Sequence, residues 1–387
     1  MRPGPPTANE DASAARKPSP TSPALRAASM STLVATYCLV VLGSTVRVTE
    51  SGMGCKGWPL CDNQIGPIGS YHTLLEQAHR YLAAGVTLGV VAVAWMAWRS
   101  GRRNAVSRAA FACLAIVAVQ VVLGAITVLT HNAPPTVALH LATGLLLLGA
   151  TAVTAVFAFA PAAAGGPGSS RWGGRQAGQR NARRGLLDWS ALSLTFLLFI
   201  SGSVVVDGGA SDACRTWPWC STSAHVAGAL QAIQLVHRGL AGVVVLLLTV
   251  LAIGMMRRRH DLVAPAFGLA LALVVLLAAQ VAAGAATALS GAPPAAQDVH
   301  LALAAAIWVV VVTLVTIEGS RAPACARSAE PFDQERRGSK RNRRTATKVP
   351  TAPQMATTPK SPQAHGEAPG NNWKGANMAR MRRPTGK

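Results

Sequence analysis

Four histidines lie at matched positions within long apolar segments of this 387-residue chain: His79, His140, His237 and His300. An ionisable side chain inside a membrane span is costly and is a functional candidate by default. A hydrogen bond to a neighbouring helix would explain one such histidine, but it explains four at equivalent places poorly. Zinc and copper sites usually take three or four protein ligands, whereas a porphyrin iron takes two. The histidines therefore favour two porphyrin sites, each with a pair of imidazoles.

An arginine directly follows the first histidine of each pair, as Arg80 and Arg238. A guanidinium group pairs well with carboxylates, so we expect both arginines to bind porphyrin propionates. The alternative is that they extend toward the membrane surface while their alkyl stems stay in apolar surroundings. Small residues follow all four histidines and leave room for a flat ligand between helices.

A seven-residue cysteine loop occurs twice, as CKGWPLC from Cys55 to Cys61 and as CRTWPWC from Cys214 to Cys220. Two cysteines are too few for a structural zinc site. Each pair could form a disulfide that stiffens the loop, or a redox-active pair that passes electrons.

One difference separates the two histidine pairs. Glu76 precedes His79 by three residues, on the same helical face, and the equivalent residue before His237 is Gln234. A carboxylate can accept a proton or stabilise a developing cation, which a neutral amide does less well. The alternative is a structural ion pair between Glu76 and Arg80, one turn apart. The difference predicts a catalytic N-terminal half and a cofactor-holding C-terminal half.

The elements that position these residues are predicted to be membrane-spanning helices. Half of the residues are apolar and only 13% are charged. About 20 apolar residues are needed to span a bilayer as a helix. Segments of this kind occur eight times, at about 30–48, 74–98, 109–130, 137–160, 187–206, 229–255, 263–289 and 298–318.

The histidines, glutamines, glycines and cysteine loops recur with an offset of 158 to 160 residues. We therefore predict an all-α membrane protein of two tandem four-helix bundles, related by a pseudo-two-fold axis along the membrane normal. The predicted organisation is an N-terminal tail (1–29), an N-terminal half (30–160), a basic linker (161–186), a C-terminal half (187–318) and a basic tail (319–387).

Basic clusters follow the second, fourth and sixth spans, and both termini are basic. The positive-inside rule predicts that all of these segments are cytoplasmic and that the cysteine loops face outward. About half of the net charge of +21 lies in the last segment, which lacks periodicity. We expect both tails to be disordered, and the basic tail to contact anionic lipid rather than nucleic acid.

The string GSTVRVTESGMGCKGWPLC, the EQAHR stretch and the single histidines of spans four and eight together resemble haem A synthase of the bacterial type. The resemblance covers roughly residues 30–318. It implies oxidation of the C8 methyl group of haem O to a formyl group, giving haem A for terminal oxidases. It also implies a multi-pass protein of the bacterial cytoplasmic membrane. The long basic tail departs from the family pattern.

The resemblance also assigns roles. His79 and His140 would hold the substrate haem, His237 and His300 a haem b cofactor, and Glu76 would assist catalysis. The resemblance makes haem O the substrate. The partners that we further expect are an electron donor, the enzyme that makes haem O and a second copy of this chain. Two rival interpretations remain: a di-haem protein that carries electrons from quinol, and a transporter, since parallel repeats are common there.

Overall fold

The computed structural model describes residues 21–55, 57–61, 63–66, 69–100, 105–160, 175–220, 228–257 and 264–320. These residues belong to one unit of the chain. Their helices are α1 (Pro23–Val48), α2 (Tyr71–Ser100), α3 (Ala105–Leu129), α4 (Pro134–Phe159), α5 (Arg175–Asp207), α6 (Gly228–Arg257), α7 (Ala264–Leu289) and α8 (Pro294–Gly319). Side chains of residues 175–184 and of residue 264 are not described.

All eight helices are long and apolar enough to cross a membrane, and the described residues form no β-strand. The prediction of an all-α, multi-pass membrane protein is therefore confirmed. The pseudo-two-fold relationship and the domain boundaries stay predictions. Most helices begin a few residues before the predicted spans, and the largest differences are at α1, which starts at Pro23, and at α5, which starts at Arg175. Most of the predicted N-terminal tail and linker, and all of the basic tail beyond residue 320, lie outside the described residues.

Local sequence explains where several helices begin. Ser22 caps α1, because its hydroxyl accepts a hydrogen bond of 3.2 Å from the Leu25 amide. Helices α4 and α8 each start at a proline pair. Proline suits the first turn of a helix, where its missing N–H would have no partner. Both histidines on α4 and α8 are therefore set a fixed distance from a defined helix start.

Four helices form the centre of the bundle. Helix α4 packs against α1, α5 and α8, and α8 also packs against α1 and α5. In the N-terminal half α2 and α3 pack on the outside of this centre, and α6 and α7 are the corresponding helices of the C-terminal half. Each histidine pair thus combines one helix of the centre with one flanking helix.

Contacts between the two halves are specific as well as apolar. The buried indole of Trp308 in α8 donates to the Leu145 carbonyl of α4 at 2.8 Å, and it packs against Gly149. The Tyr37 hydroxyl of α1 donates to the Ala302 carbonyl of α8 at 3.1 Å. These contacts hold the helices that carry His140 and His300 against each other.

Candidate functional site

Each histidine ring lies directly over a glycine of the preceding helix. A Cβ atom built on Gly43 of α1 would lie 3.0 Å from Cε1 of His79, and one on Gly202 of α5 would lie 3.3 Å from Cε1 of His237. Contacts this short displace neighbouring atoms. The absence of a side chain on α1 and α5 therefore creates the space that the imidazoles occupy.

The second histidine of each pair follows the same rule. A Cβ on Gly124 of α3 would lie 3.2 Å from Cε1 of His140, and one on Gly284 of α7 would lie 2.9 Å from Cε1 of His300. In the sequence these glycines are visible only as members of the repeat. Their recurrence with the histidines was the signal that they shape the histidine sites.

Two glutamines contact the histidine rings directly. Nε2 of Gln120 lies 3.2 Å from Nε2 of His140, and Nε2 of Gln280 lies 3.3 Å from Nε2 of His300. An amide nitrogen can only donate, so each imidazole Nε2 is the acceptor and carries a lone pair. The sequence shows these glutamines only as members of the repeat and predicts no ligand role for them.

The two histidines of each predicted pair lie on different helices of the same half: His79 on α2 and His140 on α4, and His237 on α6 and His300 on α8. Their joint binding of a porphyrin stays a prediction. Helices α2 and α4 both pack on α1 and α3, yet within the described residues they do not pack extensively on each other. The two imidazoles of the N-terminal half therefore come from helices that are held apart by their shared neighbours.

These residues fit a porphyrin with two axial imidazoles. Across the described part of the chain, no group of three or more His, Cys, Asp or Glu residues could hold a metal ion by itself. A porphyrin supplies four nitrogens, so two imidazoles suffice. Nδ1 of His79, His140 and His300 is buried without a hydrogen-bond partner, which is unusual for a histidine that serves packing alone.

Glu76 is 3% exposed and joins the helix to the cysteine loop. One carboxylate oxygen accepts a hydrogen bond of 2.8 Å from the Cys55 amide, and the other accepts one of 2.5 Å from Arg80. The ion pair that the sequence suggested as an alternative is therefore present. The structure places the carboxylate one helical turn from His79.

Gln234 holds the other cysteine loop by donating hydrogen bonds, whereas Glu76 accepts them. Its amide nitrogen donates to the carbonyl oxygens of Ala210 and Ser211, at 2.7 and 3.0 Å. Gln234 is nearly as buried as Glu76. Both side chains thus fasten the outer loop to the helix, one through accepted and one through donated hydrogen bonds.

The two arginines hold the cysteine loops. Arg80 donates to the carbonyl oxygen of Gly57 at 2.9 Å and more distantly to those of Pro59 and Leu60. Arg238 donates to Thr216 at 2.7 Å and to Cys214 at 2.8 Å. The sequence did not predict these hydrogen bonds to the loops, and extension of both arginines toward the membrane surface stays an alternative. The propionate contact stays a prediction.

The two cysteines of each loop lie close together in space. Cys55 is paired with Cys61 and Cys214 with Cys220, with Cα–Cα separations of 4.8 and 5.1 Å, within the usual disulfide range. The Arg80 and Arg238 contacts end on backbone carbonyls within or beside these short rings. A structural role for the cysteine pairs, as opposed to a redox role, stays a prediction.

Comparison with known proteins gives a consistent assignment. A family model described as COX15-CtaA, cytochrome oxidase assembly protein, matches residues 70–312. A heme A synthase of Symbiobacterium thermophilum is 31% identical over 208 residues, covering 51% of this chain and 64% of the relative. A heme A synthase of Geobacillus thermodenitrificans is 25% identical over 254 residues, covering 65% and 78%.

A protoheme IX farnesyltransferase of Halobacterium salinarum is 38% identical over 108 residues, covering 28% of this chain and 24% of the relative. The chain thus spans about a quarter of the length of that relative. The family model, in contrast, spans well over half of the chain and includes all four histidines and both arginines. The chain therefore belongs to the COX15-CtaA family of cytochrome oxidase assembly proteins.

Proposed function

We propose that this protein is a haem A synthase, an oxidoreductase that converts the C8 methyl group of haem O to the formyl group of haem A. The observation that carries the proposal is a pair of histidine couples, each ring packed on a glycine, in which Glu76 precedes His79 and Gln234 takes the matching place before His237. Family membership and the relatives named heme A synthase support it.

In the N-terminal half, His79 and His140 hold the substrate haem. Gly43 and Gly124 set the positions of the two rings. Gln120 donates to Nε2 of His140, and iron binding at this nitrogen would displace that hydrogen bond, because its single lone pair cannot serve both. Glu76 is fixed by Arg80 and the Cys55 amide. Held there, its carboxylate accepts a proton or stabilises positive charge that develops on the substrate.

In the C-terminal half, His237 and His300 hold a haem b cofactor, which when bound supplies an iron that carries electrons. Gln234 replaces the carboxylate, so this half lacks the group that we assign to catalysis. Arg80 and Arg238 contribute positive charge beside the first histidine of each half. Each keeps donors that can reach a propionate in addition to a loop carbonyl.

The proposal includes a place in the cell and a set of partners. The protein lies in the bacterial cytoplasmic membrane with both termini in the cytoplasm and the cysteine loops outside, and its basic tail contacts anionic lipid. It receives haem O from the enzyme that makes it and electrons from a separate donor. The resemblance of one segment to proteins named protoheme IX farnesyltransferase supports the first of these links.

A di-haem electron carrier is the second candidate, and one observation favours it. Glu76 is fully engaged by Arg80 and the Cys55 amide, so its presence has an explanation without catalysis. Such a carrier would use the same four histidines and would leave its haems chemically unchanged.

Haem extraction separates the two functions. The full-length chain is produced in cells that make haem O but have no other haem A synthase, and the membrane haems are separated by chromatography with mass detection. A formyl-bearing haem that depends on the chain supports the synthase. Bound but unmodified haem supports the carrier, and a protein without haem contradicts both and favours transport.

A further inference from the structure

Only one of the four histidines has a partner for its Nδ1 atom in the described structure. Oγ of Ser201 lies 2.8 Å from Nδ1 of His237. The same oxygen lies 2.7 Å from the carbonyl oxygen of Leu198, one turn earlier in α5. Ser201 directly precedes Gly202, the glycine that supports the His237 ring.

The two contacts of Ser201 define the direction of both hydrogen bonds. A hydroxyl group has one proton, and a carbonyl oxygen can only accept. The Ser201 proton is therefore donated to Leu198, and the Ser201 oxygen accepts the N–H of His237. This arrangement places the imidazole proton on Nδ1 and leaves the lone pair on Nε2. Iron-ligating histidines are commonly fixed in this way, by donating the other ring N–H to an oxygen.

In the described N-terminal half, no side-chain oxygen accepts a hydrogen bond from Nδ1 of His79. The residue equivalent to Ser201 is Leu42, which cannot accept a hydrogen bond. Nδ1 of His79 is buried without a partner, although Gly43 supports the ring as Gly202 supports His237. The two halves thus share the seat of the ring and differ in the group that fixes its tautomer and orientation.

We propose that Ser201 is a positioning residue that makes His237 a permanent ligand of a resident haem, and that Leu42 leaves His79 suited to a haem that enters and leaves. The inference rests on the proposed function, in which the C-terminal haem is retained and the N-terminal haem is exchanged. A hydrogen bond from Nδ1–H makes the imidazole a stronger electron donor. It therefore stabilises ferric iron and lowers the reduction potential of the bound haem.

The test uses the full-length chain with His79→Ala and His140→Ala, so that only the C-terminal pair can ligate iron on both sides. This double variant is the parent, and it is compared with the same chain carrying Ser201→Ala or Ser201→Thr. All three proteins are loaded with haem b. The rate of haem transfer to excess apomyoglobin and the midpoint potential are then measured. For Ser201→Ala we expect haem loss roughly 10-fold faster and a more positive potential. Ser201→Thr, which keeps the hydroxyl, restores both values. A purely structural role for Ser201 would not shift the potential and recover it with threonine.

The reciprocal variant is Leu42→Ser, in a chain with His237→Ala and His300→Ala. It supplies the missing acceptor to His79, so we expect slower haem loss from the N-terminal pair. If Ser201→Ala holds its haem as long as the parent and at the same potential, the role of Ser201 is overturned while the proposed function stands. If the parent binds no haem at all, the proposed function fails together with the inference.

Discussion

The two halves fasten their cysteine loops with side chains of opposite hydrogen-bonding character. Glu76 accepts from the Cys55 amide and from Arg80, whereas Gln234 donates to the carbonyls of Ala210 and Ser211. Arg238 holds its loop without any acidic partner on its own helix. Loop attachment therefore requires neither a carboxylate nor an ion pair. The C-terminal loop is thus held without a counterpart to the negative charge of Glu76, and the assignment of that charge to chemistry stays a proposal that substitution of Glu76 tests.

The largest effects are expected from the histidine pairs, and they test whether the halves differ in task. Replacing His237 and His300 with alanine removes both proposed ligands of the proposed haem b, so we expect complete loss of that haem from the purified protein. Replacing His79 and His140 leaves the resident haem in place but abolishes haem A formation. Absorbance spectra and haem extraction measure both outcomes. Equal haem loss in the two variants would contradict the division of labour.

The exchange of Glu76 and Gln234 is expected to have the next largest effect. Glu76→Gln keeps the shape of the side chain and one acceptor oxygen for the Cys55 amide, so haem binding persists. We expect haem A formation to fall by about 100-fold, the low end for loss of a positioned acid or base. Gln234→Glu is the matched control, because it adds a carboxylate where no reaction is assigned. Unchanged haem A formation in Glu76→Gln would remove the proposed role.

The glycines that pack against the histidine rings predict a graded loss of haem binding when they are replaced with alanine in the C-terminal half. Gly284→Ala places a Cβ 2.9 Å from His300, and Gly202→Ala places one 3.3 Å from His237. We expect the first to weaken haem binding by about 1–3 kcal/mol, as overpacking typically does, and the second by less. Gly268→Ala, on the same helix as Gly284 but near its other end, is the control, because its Cβ would meet no neighbour within 4 Å. All three substitutions gain similar helix propensity, so the difference between them reports the ring contact.

These comparisons also show how far the sequence could predict the molecule. The eight spans followed from apolar length, and the four histidines from the cost of placing an imidazole in a membrane. The glycine seats were visible only as repeated letters, because their purpose depends on which helix packs against which ring. The contacts of Arg80 and Arg238 could not be predicted, since a backbone carbonyl has no sequence signature. The different surroundings of His237 and His79 at Ser201 and Leu42 could not be predicted either, because they also depend on which helix packs against which ring.

The smallest effect concerns a contact that joins the halves and occurs only once. Arg47 at the end of α1 donates to Asp207 at the end of α5, at 3.0 Å, and also to the Ser203 carbonyl. The equivalent residues are Val206 and Val48, which cannot pair. The pair therefore distinguishes this junction from its counterpart in the repeat, and it fixes α1 relative to α5 near the cysteine loops.

A double-mutant cycle with Arg47→Ala and Asp207→Ala measures the strength of this junction. We expect a coupling energy of about 1 kcal/mol in thermal unfolding of the purified protein, because both side chains are partly exposed and solvent weakens their attraction. Haem retention should barely change, since each histidine pair lies within one half. A coupling near zero would mean that apolar contacts, such as that of Trp308 with α4, hold the halves together without help from Arg47. In that case the inequality of the two halves would be confined to their histidine sites.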